Sequence, residues 1–296
     1  NPRHLLSSAD LSASETAYLL DIAGKLKRRP QEVLKGKHLA LLFEKASLRT
    51  RVSFEVAMDK LGAFTMYLDP REVGLGEREA IRDVSRVLAR YVDIVAVRTY
   101  GQVIVEEYAR FSSIPVINAL TDEEHPCQAL ADLLTLKEKF GELRGRSLAF
   151  VGDGNNVATS LVVTAAALGM DVRVAADGSA RAATGGGKSV RVGGPAEAGA
   201  GGEALYTDVW TSMGQEREAE RRRIDFADYQ LNSALVAKAA SGAFIMHDLP
   251  AHRGEEITDE VFESPHAIIF DQAENRVWAQ AAVAAFLLGA DGQVEG

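Results

Sequence analysis

The chain has almost no cysteine. Its single thiol, Cys127, rules out an internal disulfide and any zinc or iron–sulfur centre built on cysteine ligands. A reducing compartment is the expectation. Long apolar runs are also missing: none reaches the roughly 18 residues a bilayer-crossing helix needs, and no basic-then-apolar leader opens the chain. A cytoplasmic location with no membrane partner is therefore expected. The first residue is not methionine, which we read as a processed or incomplete start. Positive charge is in deficit, with 33 Lys and Arg against 42 Asp and Glu and a net charge of −9. Nucleic acid is thus not an expected partner, and any anionic ligand has to meet cations gathered locally. Aromatics make up only 7%, but 47% hydrophobic and 25% charged residues are enough for a large core. At 296 residues, two domains are expected.

The hydrophobic pattern alternates between short strand-like runs and helical spacing. Ser12 followed by Glu15 forms a capping-box pattern ahead of Leu19, Ala23 and Leu26, a helix that Pro30 stops. Strands are expected at 38–43, 64–68, 93–97 and 114–118, with helical patterns such as Ile81, Val84, Leu88 and Tyr91 between them. Leu130, Leu133 and Leu134 mark the inner face of a helix over 129–140, and a domain boundary is placed along it. The alternation restarts with strands at 147–151, 172–175, 204–210, 243–247 and 267–270, then a terminal helix over 274–289. Such alternation predicts an α/β protein of two doubly wound parallel-sheet domains. Residues 178–202, dense in Gly and Ala, read as a surface loop outside the core.

Chemistry-bearing residues cluster where strands are expected to end. Ser47-Leu48-Arg49-Thr50-Arg51 joins a strand to a helix whose inner face carries Phe54, Met58 and Leu61. Free amide groups and the helix dipole make that junction an anion cradle suited to phosphate. Arg98 follows the third strand. His125 and Gln128 share a helix face by their i, i+3 spacing, while Cys127 reads as buried structure. Val151-Gly152-Asp153-Gly154-Asn155-Asn156 resembles a dinucleotide loop, but Val157 stands where its third glycine belongs, so no nicotinamide or flavin is expected. Its amides suit an amino-acid backbone, and asparagines also fill turns for conformational reasons alone. Asp208 suits an ammonium group that Ser212 would orient, and Arg276 opens the last helix within reach of the crevice. Taken singly, each of these motifs is equally a helix cap, a turn or a surface ion pair.

Taken together and in order, they resemble the aspartate/ornithine carbamoyltransferase family. The match rests on Phe43 through Arg51, His125-Pro126-Cys127-Gln128, Gly152 through Asn156, Asp208 through Gly214 and His247 through Gly254, and it spans nearly the whole chain. The resemblance implies that residues 1–133 bind carbamoyl phosphate, with the terminal segment 275–296 packed back onto them, and that residues 134–274 bind ornithine. The active site would lie in the cleft between domains joined by interdomain helices. Ser47, Leu48, Arg49, Thr50, Arg98, His125, Gln128, Leu249 and Arg276 would then surround carbamoyl phosphate, and Asn156, Asp208, Ser212 and Met213 would hold ornithine. Thr50, Arg98, His125, Asp248 and Arg276 would carry catalysis. The resemblance further implies no metal, no organic cofactor and a homotrimer or multiple of trimers.

Two departures stand out. The family's ornithine enzymes carry a cysteine where this chain has Asp248, and the Gly/Ala tract looks shorter and poorer in helix-forming sequence than the family's. Reduced activity or an altered amine substrate is expected from the first, and weakened stability from the second. Rival readings are carbamoyl transfer to putrescine, acetylornithine or aspartate, and a catalytically silent binding subunit.

Overall fold

The computed structural model describes residues 2–177, 189–211 and 216–296. The chain divides into two compact units, Asn1–Leu134 with Glu274–Gly296, and Thr135–Ala273. In the first unit, the helix Ala13–Arg28 begins as the sequence dictates: the Ser12 hydroxyl accepts from the Glu15 amide, and the Glu15 carboxylate accepts from the Ser12 amide at 2.9 Å. Leu19, Ala23 and Leu26 are buried. Tyr91, placed above in one helical pattern with Ile81, Val84 and Leu88, is instead exposed beyond the helix's end, because that helix spans only Ile81–Leu88.

Four strands follow, β1 (His38–Phe43), β2 (Phe64–Leu68), β3 (Ile94–Arg98) and β4 (Val116–Leu120). All pair in parallel in the order β2-β1-β3-β4. β4 starts two residues later than expected, because Pro115 has no amide to give to the ladder. β1 and β3 are aliphatic and buried almost throughout, the signature of strands covered on both faces. Ala40, Leu42, Val95, Val97, Val105, Tyr108 and Val116 form the core beside them.

The second unit carries β5 (Ser147–Asp153), β6 (Asp171–Asp177), β7 (Ser189–Arg191), β8 (Ala204–Thr207) and β9 (Phe244–His247), parallel in the order β7-β6-β5-β8-β9. Three expectations need correction here. β8 stops at Thr207 rather than 210, because the Asp208 carboxylate takes the Val209 amide at 2.6 Å, a local bond that competes with the ladder. The strand expected at 267–270 is a single bridge from Ala267 to Ile245, and the terminal helix begins directly afterwards, spanning Ile269–Leu287. The Gly/Ala tract is also not all loop. Residues 178–188 lie outside the described part, but 189–191 form the edge strand β7 and Pro195–Gly199 is a helix with Ala198 fully buried in the core. Small side chains are what let that helix pack closely on the helix Ser233–Val236: a Cβ on Gly199 would come to 3.0 Å from Leu235. Among the described residues, no helix is long and apolar enough to cross a membrane.

Candidate active site

In each unit the sheet order fixes where a ligand can sit. β1 and β3 are neighbours, while β2 lies outside β1 and β4 outside β3. The connections after β1 and β3 therefore diverge, opening a crevice at their carboxyl ends. β5 and β8 stand in the same relation in the second unit.

At the first of these switch points, Ser47 caps the helix Leu48–Lys60. Its oxygen accepts from the Thr50 amide at 3.3 Å, and its hydroxyl lies 3.1 Å from the Thr50 hydroxyl. The first helical turn holds no acid, so its amides and dipole remain available to an anion. The Leu48 side chain is 77% exposed, which leaves only its backbone amide for such a role, and Arg49 is exposed as well. Arg98, the last residue of β3, is buried, and its Nε donates to the Lys45 carbonyl at 3.1 Å. Lys45 is held in turn by Asp122 and by the Tyr100 ring, 4.4 Å below its ammonium.

The helix Pro126–Phe140 follows β4 and brings up Gln128. Arg276 donates through Nη1 to Gln128 Oε1 at 2.6 Å and through Nη2 to Thr50 Oγ1 at 3.3 Å. Gln128 Nε2 donates to Asp132 at 2.8 Å. Thr50, Gln128 and Arg276, far apart in sequence, are thus in direct contact. His125 is buried beside them, and burial first, then the Arg276 and Arg98 charges, lower its pKa well below the ordinary imidazole value. It is therefore a neutral imidazole at pH 7. Cys127 is fully buried, with its thiol pushed up to about 12 by desolvation, which excludes it as a nucleophile near neutral pH.

At the second switch point, Asn155 caps the helix Asn156–Ala167 and donates through Nδ2 to Asp208 at 2.6 Å, tying the end of β5 to the end of β8. Asn156 is half-buried and its side-chain oxygen accepts from the Val157 amide at 2.9 Å. Asp208 is buried, and its carboxylate, that of Asp248 and the His247 imidazole place polar atoms within 4.8 Å of one another. His247 is fully buried. Its Nδ1 accepts from the Leu249 amide at 2.9 Å, so Nε2 carries the proton and donates to Glu256 at 2.9 Å. Leu249 has φ +65, a conformation that a branched side chain seldom takes. Ser212 and Met213 lie outside the described residues.

Sequence reasoning missed Asp132, which orients Gln128, and Glu256, which orients His247. The signal for Asp132 was present: a carboxylate four residues after Gln128, between buried leucines. Glu256 gave none, since the turn that carries it back to His247, nine residues earlier, follows no helical or strand period.

The two crevices differ in chemistry. The first gathers guanidinium groups, a helix N-terminus and a neutral histidine, a set for an anion with a polarisable carbonyl. The second gathers two carboxylates and asparagine amides, a set for an amino acid's ammonium groups. Comparison with known proteins agrees with this division. Residues 3–138 match the family model described as the aspartate/ornithine carbamoyltransferase carbamoyl-phosphate-binding domain, and residues 144–287 match the Asp/Orn-binding domain of the same family. The chain is 52% identical to the ornithine carbamoyltransferase of Gloeobacter violaceus over 298 residues, covering 96% of this chain and 95% of that protein. The solved ornithine carbamoyltransferase structure from Pyrococcus furiosus superposes with a TM-score of 0.92 at 44% identity, with 97% of each chain covered. That from Thermus thermophilus gives 0.89 at 46% identity, covering 97% of this chain and 99% of the other. With both family domains matched in order along the chain, the protein belongs to the aspartate/ornithine carbamoyltransferase family.

Proposed function

We propose that the protein transfers the carbamoyl group of carbamoyl phosphate to the δ-amine of L-ornithine, giving citrulline and phosphate. The observation that carries this reading is the Thr50–Arg276–Gln128 contact beside a neutral His125. Ser47, Leu48, Arg49 and Thr50 bind the phosphate through the helix N-terminus and Arg49, while Arg98, His125, Gln128 and Arg276 hold the carbamoyl end. Asn156, Asp208, Ser212 and Met213 hold ornithine by its α-amino and α-carboxylate groups.

The δ-amine attacks the carbamoyl carbon, a tetrahedral oxyanion forms, and cleavage of the carbon–oxygen bond releases phosphate. Thr50, Arg98, His125 and Arg276 face the oxyanion as preset donors, each worth about 3–4 kcal/mol of barrier when removed. A neutral imidazole suits that task because it donates without adding a proton to the substrate. Asp248 accepts the amine's proton in the place that the family gives to cysteine. Residues 1–133 with 275–296 serve carbamoyl phosphate, and residues 134–274 serve ornithine.

By the same family reading the enzyme is cytoplasmic, acts in arginine biosynthesis and assembles as a trimer. Self-association is supported by the apolar side chains Val52, Val56, Phe64 and Met66, exposed on the edge strand β2 and the helix after β1. Calorimetry with carbamoyl phosphate followed by a citrulline assay tests the proposal. Binding and ornithine-dependent citrulline support it, binding without turnover identifies a silent subunit, and absence of binding rejects it.

A further inference from the structure

Asp132 is fully buried, one helical turn beyond Gln128 on the same face of the helix Pro126–Phe140. A carboxylate only accepts and a guanidinium only donates, so a carboxamide held between the two has a single orientation. Gln128 is in that position: its Nε2 gives to Asp132 at 2.8 Å, and its Oε1 takes from Arg276 at 2.6 Å. Reversing the amide would set its NH2 against the arginine and its oxygen against the carboxylate. The chain continues from Arg276 to the Thr50 hydroxyl and on to Ser47 at the helix cap. Through Gln128, the Asp132 carboxyl is thereby linked to the Arg276 guanidinium and to Thr50.

We propose that Asp132 is a positioning residue for carbamoyl phosphate, acting through the Gln128 carboxamide to fix Arg276 and Thr50. This rests on the function proposed above. The chain of bonds runs through Gln128, Arg276, Thr50 and Ser47, all assigned above to carbamoyl phosphate, so its effect is expected on that substrate.

The test uses full-length Asp132→Asn and the conservative variant Asp132→Glu. In the first, the new carboxamide at position 132 is free to present its NH2 to Gln128, which lets the Gln128 amide reverse. The second keeps a carboxylate that accepts from Gln128 and leaves every residue assigned to carbamoyl phosphate in place. Carbamoyl phosphate affinity is measured by calorimetry without ornithine, alongside the thermal midpoint and the KM for each substrate. Asp132→Asn is expected to bind carbamoyl phosphate roughly tenfold more weakly, with the ornithine KM within twofold, and Asp132→Glu is expected to keep affinity within threefold of wild type. Wild-type affinity in Asp132→Asn, or a tenfold loss in an Asp132→Glu variant that melts like wild type, overturns the proposal. If Asp132→Asn does not fold, Asp132→Glu decides alone: affinity within threefold of wild type supports the proposal, and a tenfold loss overturns it. Wild-type protein that binds no carbamoyl phosphate refutes the proposed function instead, so the two failures are distinguishable.

Discussion

His125 shows how burial selects a chemical form. Its pKa is lowered first by desolvation and then by Arg276 and Arg98, so the folded protein resists protonating it while the unfolded chain, with an ordinary imidazole near 6.5, does not. The unfolded state then binds more protons below about pH 6.5, and stability must fall as pH falls from there toward the depressed folded value. In urea titrations, the wild-type midpoint should drop more between pH 7 and pH 5 than that of His125→Asn. Equal slopes would mean the imidazole ionises freely in the fold. Asp248 makes the second prediction at this scale. A carboxylate beside Asp208 favours an ammonium over the neutral amine that attacks. Wild type should therefore reach half-maximal turnover of ornithine at higher pH than Asp248→Cys, and the variant should be faster at pH 7. Unchanged pH profile, rate and amine preference would remove Asp248 from the reaction. Residues such as Ser47, Thr50 and Arg98 were legible in the sequence because they lie at the start of a helix that follows a strand or at a strand's end. Glu256 was not, since it meets His247 through an irregular turn of nine residues that follows no helical or strand period.

Helix ends and strand ends are where the elements carry energy readable from sequence. The Ser12–Glu15 capping box was legible and closes as expected. Ser12→Ala should lower stability by about 1 kcal/mol in chemical denaturation, whereas no change would mean the first turn frays already. Glu15, held by Arg3 and then by Ser12, has its pKa depressed to about 2. Its contribution is fully present above the ordinary carboxylate range, near 4.3, and is lost as pH falls toward 2. The stability gap between wild type and Glu15→Gln should accordingly be constant above pH 5 and close between pH 4 and pH 2. Boundaries were less legible where side chains bond their own backbone, as Asp208 does in ending β8, or where a single bridge imitates a strand, as at Ala267. The helix Pro195–Gly199 escaped notice because its buried contribution comes from alanine and glycine, which carry no hydrophobic period.

For the molecule as a whole, alternation of short apolar runs with helical spacing was enough to give two parallel α/β sheets. The strand orders were not legible, because pairing is set by long-range contacts. Those orders matter most for function: they put Ser47 with Arg98 at one switch point and Asn155 with Asp208 at the other. A chain of net charge −9 thereby gathers guanidinium groups at one switch point and carboxylates at the other, the division that the proposed function assigns to carbamoyl phosphate and ornithine. The most direct test of that division of labour is phosphate release from carbamoyl phosphate in the presence of ornithine, putrescine, acetylornithine or aspartate in turn. Ornithine should give by far the highest kcat/KM, with citrulline formed in equal amount to phosphate. A preference for another of the four amines, or phosphate release independent of any amine, would contradict the account.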